Sequence, residues 1–70
     1  MKLTIIAYEV RDCHSPELYA SGIDDESAAF LRAQELADFY RRPVVVCRRV
    51  LGLISRRVGD VEPAAEAPTG

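Results

Sequence analysis

Hydrophobic and polar positions divide this chain into segments with different spacings. Residues 3–10 are mostly apolar and rich in β-branched side chains, which predicts a first strand. Residues 11–16 are polar and end in a proline, so they predict a loop. Residues 17–21 then predict a short return strand closed by Gly22, which would form a hairpin with the first strand.

The central segment has the spacing of an amphipathic helix. No glycine or proline occurs from Glu26 to Arg42, and the apolar residues recur every three or four positions. Asp24-Asp25 predicts the helix start because an aspartate accepts a hydrogen bond from a free backbone N–H group. Pro43 predicts the helix end. The apolar stripe consists of Ala29, Ala33, Leu36, Ala37 and Tyr40, with Phe30 on its edge.

Two further strands follow the helix. The run Val44-Val45-Val46-Cys47 predicts the third strand, which continues to about Leu51, Gly52 marks a turn, and Leu53–Val58 predicts the last strand. The order strand, strand, helix, strand, strand predicts an α+β fold. We expect a two-layer sandwich with one helix packed on a mainly antiparallel sheet of three strands, or of four if the second strand forms.

Composition sets the expected limits of this domain. Residues 1–59 are expected to form a single α+β domain, and residues 60–70 a flexible acidic tail rich in proline and alanine. The opening apolar run is too short for a signal peptide, and no segment is long enough for a membrane span. Two cysteines, Cys13 and Cys47, are fewer than secreted domains of this size usually carry, so a cytoplasmic location is expected.

Both faces of the predicted sheet are apolar. In the third strand, Val44, Val46 and Val50 point to one side, while Val45, Cys47 and Leu51 point to the other. One helix can cover only one face, and proteins seldom leave a large apolar face in water. The sequence therefore predicts a homo-oligomer, most simply a dimer, or docking on a larger protein partner through the open sheet face.

Charge is strongly separated along the chain. Residues 41–59 carry six arginines and no acid, whereas residues 1–40 carry three bases and eight acids, and residues 60–70 add three acids. With a two-residue turn at Leu51-Gly52, Arg48 and Arg57 would share one face of the last hairpin, and Arg49 and Arg56 the other. Pairing with acids within the fold or across a dimer is the favoured interpretation.

These patterns define a candidate interaction surface. It comprises Arg48, Arg49, Arg56, Arg57, Val45, Ile54 and Phe39, the last because it falls beside the helical stripe. The leading hypothesis is a non-enzymatic protein-interaction module. The alternative is a nucleic-acid-binding module that uses the arginine-rich hairpin. Against it stand the lack of an aromatic residue in the hairpin and a pI near 5.2.

No catalytic, cofactor-binding or metal-binding residues are assigned. Asp12-Cys13-His14-Ser15 contains catalytic residue types, but neighbours in sequence usually point apart, and no glycine-rich loop accompanies them. Cys13, His14 and Cys47 lack the close cysteine spacing of structural zinc sites. The cysteines are left open as free, bridged or metal-bound, and no motif identifies a characterised family.

Overall fold

The computed structural model describes residues 6–50 and 54–64 and confirms the predicted α+β arrangement. One helix packs on a four-stranded antiparallel sheet. The elements are β1 (Ile6–Asp12), β2 (Leu18–Ile23), α1 (Glu26–Tyr40), β3 (Val44–Val50) and β4 (Ile54–Val61). The predicted turn at Leu51-Gly52, the start of the first strand and most of the proposed tail lie outside the described residues.

The strand order in the sheet is β2-β1-β3-β4. The second strand forms, and α1 connects it to β3 on the opposite side of β1, so that β1 and β3 occupy the centre. Gly22 lies within β2 with a φ of 72°, where the pairing between β1 and β2 is irregular. A glycine suits this position because other residues adopt a positive φ at a cost. β4 continues to Val61, beyond the predicted end at Val58.

The helix begins as predicted and ends earlier than predicted. Asp25 is extended, and its Oδ2 accepts a hydrogen bond of 2.9 Å from the N–H of Ala28. At the other end, Arg41 takes the left-handed conformation with a φ of 59°, so the helix stops at Tyr40 and not at Arg42. Within the described residues, no helix is long and apolar enough to cross a membrane.

Replacing Asp25 with alanine is expected to lower the free energy of unfolding by about 1 kcal/mol, because Ala28 N–H loses its acceptor. Urea denaturation followed by circular dichroism measures the change. The matched control is Asp24→Ala, which removes the same charge from the position just before the cap. Equal losses in the two variants would contradict the capping role and indicate a general effect of the negative charge.

The core lies between α1 and one face of the sheet. It consists of Tyr8, Val10, Ala29, Ala33, Leu36, Ala37, Val44 and Val46. The three alanines let the helix lie close to the strands, and β4 also approaches closely at Gly59. A Cβ atom there would stand 3.2 Å from Cζ of Phe30. The helix therefore covers β4 with an aromatic ring where the strand carries no side chain.

Candidate interaction surface

The register of the β3–β4 hairpin differs from the predicted one. Val50 pairs with Ile54, Arg49 with Ser55, and Arg48 with Arg56. The connection therefore contains three residues, 51–53, and not the two assumed from Gly52. Because side chains alternate between faces, this difference of one residue moves the side chains of residues 54–57 to the face opposite the predicted one.

The arginine pairs on each face are therefore not the predicted ones. Val44 and Val46 contact the helix, so Arg48 and its partner Arg56 lie on the helix side of the sheet. Arg49 lies on the opposite face of the sheet, which the helix does not cover and which we call the far face. Arg57 lies there too, because the same unbroken register places it opposite Cys47; the irregularity follows between Cys47 and Val46. The prediction that Arg48 accompanies Arg57 and Arg49 accompanies Arg56 is wrong.

A buried carboxylate organises the far face. Glu9 is only 3% exposed, and its two oxygens accept hydrogen bonds from Arg11 Nε at 2.7 Å and from Arg49 Nη1 at 3.1 Å. Burial alone would raise the pKa of Glu9, but the hydrogen bonds and charges of these two arginines lower it below the usual 4.5. Glu9 is therefore a paired anion at the middle of the face that the helix leaves open.

The far face is accordingly not the apolar surface expected from the sequence. In its described part, acidic, basic and hydroxyl side chains outnumber aliphatic ones. They are Glu9, Arg11, Arg49, Ser55, Arg57 and Asp60, beside Ala7, Val45, Cys47 and the exposed Leu18. Val45 itself is buried between its strand neighbours Arg11 and Asp60, so it offers little area to a partner.

The uncovered apolar surface lies instead on the helix side, beyond the start of α1. Tyr8 Oη donates to Glu26 Oε1 at 3.2 Å, so the helix begins level with Tyr8 and its strand neighbour Arg48. Two residues farther out, roughly 7 Å along the strands, the sheet continues with Ile6, Val50 and Ile54 directly opposite one another. We call the surface of Ile6, Arg48, Val50, Ile54 and Arg56 the ledge.

The ledge combines exposed aliphatic side chains with two arginines. Ile6 is 40% exposed and Ile54 is 57% exposed, while Val50 is partly buried. Arg48 and Arg56 are direct cross-strand neighbours, and neither has an ion pair with an acid among residues 6–50 and 54–64. The Nε atom of Arg48 is buried without a hydrogen-bond partner in this part of the chain.

The seven candidate residues therefore occupy three places. Arg48, Arg56 and Ile54 lie on the ledge, while Arg49, Arg57 and Val45 lie on the far face. Phe39 is 77% exposed on the helix, where its ring meets the edge of Tyr40. Sequence reasoning missed Ile6, the outermost described residue of the apolar row. The spacing of two residues places Ile6 on the same face as Tyr8 and Val10, but the sequence does not show where along the strands the helix stops covering that face.

Asp12 forms a second buried polar cluster near the end of the helix. Its carboxylate accepts hydrogen bonds from the N–H of His14, from Tyr19 Oη and from Arg42 Nε, each at 2.9 Å. Burial alone would raise the pKa of Asp12, but these hydrogen bonds and the charge of Arg42 lower it to about 2. The Tyr19 ring also stacks on Tyr40 at 4.6 Å, so the cluster ties β2 and the helix end to β1.

The thiol and imidazole groups do not assemble into a site. Cys47 lies opposite Glu9 on the neighbouring strand. Cys13 lies four residues beyond Glu9 along the chain, and its N–H donates a hydrogen bond to the carbonyl of Pro43. The two cysteines are thus on the order of 13 Å apart along the strands, too far for a disulfide. Both are free. No group of three or more metal-binding side chains occurs among the described residues.

Shallow grooves follow both sides of the helix. One, of about 530 Å³, is lined by Glu26, Ser27, Phe30, Leu31 and Gln34. The other, of about 470 Å³, is lined by Tyr19, Ala20, Ser21, Ile23, Ala28 and Arg32. Both grooves add to the contact area on the helix side.

Comparison with known protein families, curated proteins and solved structures finds no match to this chain.

Proposed function

We propose that this chain is a small non-enzymatic interaction module that binds another protein through the ledge. The observation that carries the proposal is the row Ile6–Val50–Ile54, which continues the apolar side of the sheet past the start of the helix. Scattered exposed aliphatic residues are common in proteins. A contiguous row that extends the core of the domain is typical of a contact surface.

The size of the domain supports the same proposal. About sixty folded residues bury a small core, and domains of this size often gain stability from association. The aliphatic side chains of the ledge would be added to that core on binding, because a bound partner would cover the part of the sheet over which the helix does not extend. The partner can be a larger protein or a second copy of this chain, in a reducing cytoplasm as the cysteine content suggests.

Ile54→Asp tests the ledge directly. This variant is expected to remain folded, since Ile54 is more than half exposed, and to bind less of a hydrophobic fluorescent dye than the wild-type protein. If the wild-type protein associates with itself through the ledge, sedimentation equilibrium will show a weaker dimer for Ile54→Asp. The matched control is Ser55→Asp, which adds the same charge one residue away on the far face.

The two variants separate the ledge from a general charge effect. Dye binding, and self-association where the wild-type protein shows it, should fall in Ile54→Asp and stay at wild-type values in Ser55→Asp. Equal behaviour of the wild-type protein and both variants in dye binding, self-association and partner binding would contradict the proposal. A thermal unfolding curve for each variant shows whether it is folded before the comparison is made.

The alternative function is nucleic-acid binding by Arg48 and Arg56, which lack acidic partners in the described chain. Arg49 and Arg57 are engaged by Glu9 and Asp60, so only two hairpin cations remain for phosphates. Two phosphate contacts give a logarithmic salt slope of about −2 on duplex DNA, far below that of dedicated binders. A measured slope much steeper than this, lost in an Arg48→Gln, Arg56→Gln double variant, would favour the alternative.

A further inference from the structure

We infer that the segment bound by the ledge is a protein segment with carboxylate side chains next to aliphatic ones, and that Arg48 and Arg56 hold its carboxylates. This inference rests on the proposed function and names the chemistry of the partner. It arises from the way in which the fold distributes the four arginines of the β3–β4 hairpin between paired and unpaired positions.

The far-face arginines already have acidic partners. Arg49 donates to Glu9 at 3.1 Å, and Arg57 forms an ion pair of 3.0 Å with Asp60. On the ledge, neither Arg48 nor Arg56 has such a partner within the described residues, although both come from the same two strands. The hairpin arginines without an acidic partner among the described residues are therefore confined to the side that carries the apolar row.

The two ledge arginines also oppose each other. They are direct cross-strand neighbours, and like charges in this position destabilise a sheet. Arg48 Nε is buried and has no hydrogen-bond partner in the described chain, which adds a desolvation cost. A carboxylate placed between the exposed ends of the guanidinium groups would relieve this repulsion, because it accepts hydrogen bonds from planar donors in pairs.

The adjacent row defines the rest of the partner. Ile6, Val50 and Ile54 lie roughly 7 Å beyond the arginine pair, the distance between residues i and i+2 of an extended segment. An acidic residue two positions from an aliphatic residue would meet both parts of the ledge. A nucleic acid would satisfy the arginines but leave the aliphatic row without an apolar partner.

A second copy of this chain fits the ledge less well. A two-fold contact centred on the arginine pair would bring Arg48 and Arg56 of both copies together, and this repulsion opposes association. A partner of opposite charge removes the repulsion, so the observations favour a different, acidic protein segment over self-association.

The experiment selects partners from a random twelve-residue peptide library displayed on phage, with the full chain immobilised. We expect the selected peptides to share an Asp or Glu two positions from an aliphatic residue. The peptide that binds most tightly is then synthesised with its selected sequence, and again with each Asp or Glu replaced by Asn or Gln. Fluorescence anisotropy measures the dissociation constants of both forms.

We expect the acids of the peptide and the two arginines of the protein to contribute to binding through the same contact. Changing the acids to amides, or Arg48→Gln or Arg56→Gln in the protein, should each weaken binding at least about tenfold. The arginine substitutions should have little further effect on the amide peptide. The control is Arg57→Gln, which removes the same charge from the far face of the same hairpin and should leave binding unchanged.

The outcomes separate this inference from the proposed function. Loss of peptide binding in Ile54→Asp, without any loss in Arg48→Gln and Arg56→Gln, would overturn the carboxylate clamp and leave the ledge as a docking surface. Binding that survives Ile54→Asp as well would overturn both. Tighter binding of a fluorescent single-stranded oligonucleotide than of the acidic peptide would also overturn the clamp. Arg56→Gln should be at least as stable as the wild-type protein, because it removes a like-charged neighbour.

Discussion

Acidification from pH 5 to pH 2 is expected to remove a large part of the stability of this protein. Asp12 has a pKa of about 2 in the fold, and Glu9 has one below 4.5, whereas unfolded chains titrate near the ordinary values of about 3.9 and 4.3. A carboxyl with a lowered folded pKa stabilises the fold fully above its unfolded pKa. This contribution is lost as the pH falls toward the folded pKa. The urea midpoint should therefore be steady from pH 7 to pH 5 and fall steeply below pH 4.5.

Two variants assign this acid sensitivity to its source. Asp12→Asn should be less stable than the wild-type protein at pH 7 and should lose less stability below pH 4, because its side chain no longer takes up a proton. Glu9→Gln should lose about 1 to 2 kcal/mol at pH 7, a modest amount because the ends of Arg11 and Arg49 still contact water. A wild-type midpoint that stays constant down to pH 2.5 would contradict this assignment.

Replacing Leu36 with alanine is expected to lower the free energy of unfolding by about 3 kcal/mol, within the range of 2 to 5 kcal/mol for buried leucines. Leu36 is 9% exposed and packs in a core whose other helical members are alanines, so no neighbouring side chain on the helix can fill the space. For so small a domain, this loss is a large part of the total stability. Urea denaturation at pH 7 measures it.

Leu31→Ala is the matched control, since it makes the same chemical change on the same helix. Leu31 is 70% exposed, so the expected change is within about 0.5 kcal/mol. Similar losses in the two variants would show that the helix packs on the sheet differently from the arrangement described here. An unfolded Leu36→Ala with a stable Leu31→Ala would agree with the expected direction.

The helix could be predicted from local chemistry. Asp25 caps its own helix, and the spacing of Ala29, Ala33 and Leu36 requires only that one side of the helix be buried. The hairpin register could not be predicted in the same way, since Gly52 indicates a turn without giving its length. That length decides whether Arg48 shares a face with Arg56 or with Arg57, and therefore which arginines meet acids.

The location of the uncovered apolar surface also could not be predicted from the sequence. The alternation in β1 and β3 correctly separated Val44 and Val46 from Val45 and Cys47. It does not show which residues Glu9 contacts. In the fold, Glu9 meets Arg49 from a strand forty residues away and makes the centre of the far face polar. The apolar surface left open depends on where the helix begins relative to the strands.

The sequence by itself determined the elements, their order and the side of the helix that is buried, because these follow from hydrogen bonding and side-chain spacing between near neighbours. Tertiary structure decided the strand order, the pairing of the arginines and the position of the ledge. These depend on contacts between residues far apart in the chain, and a shift of one residue in a strand reverses the faces without changing the local pattern.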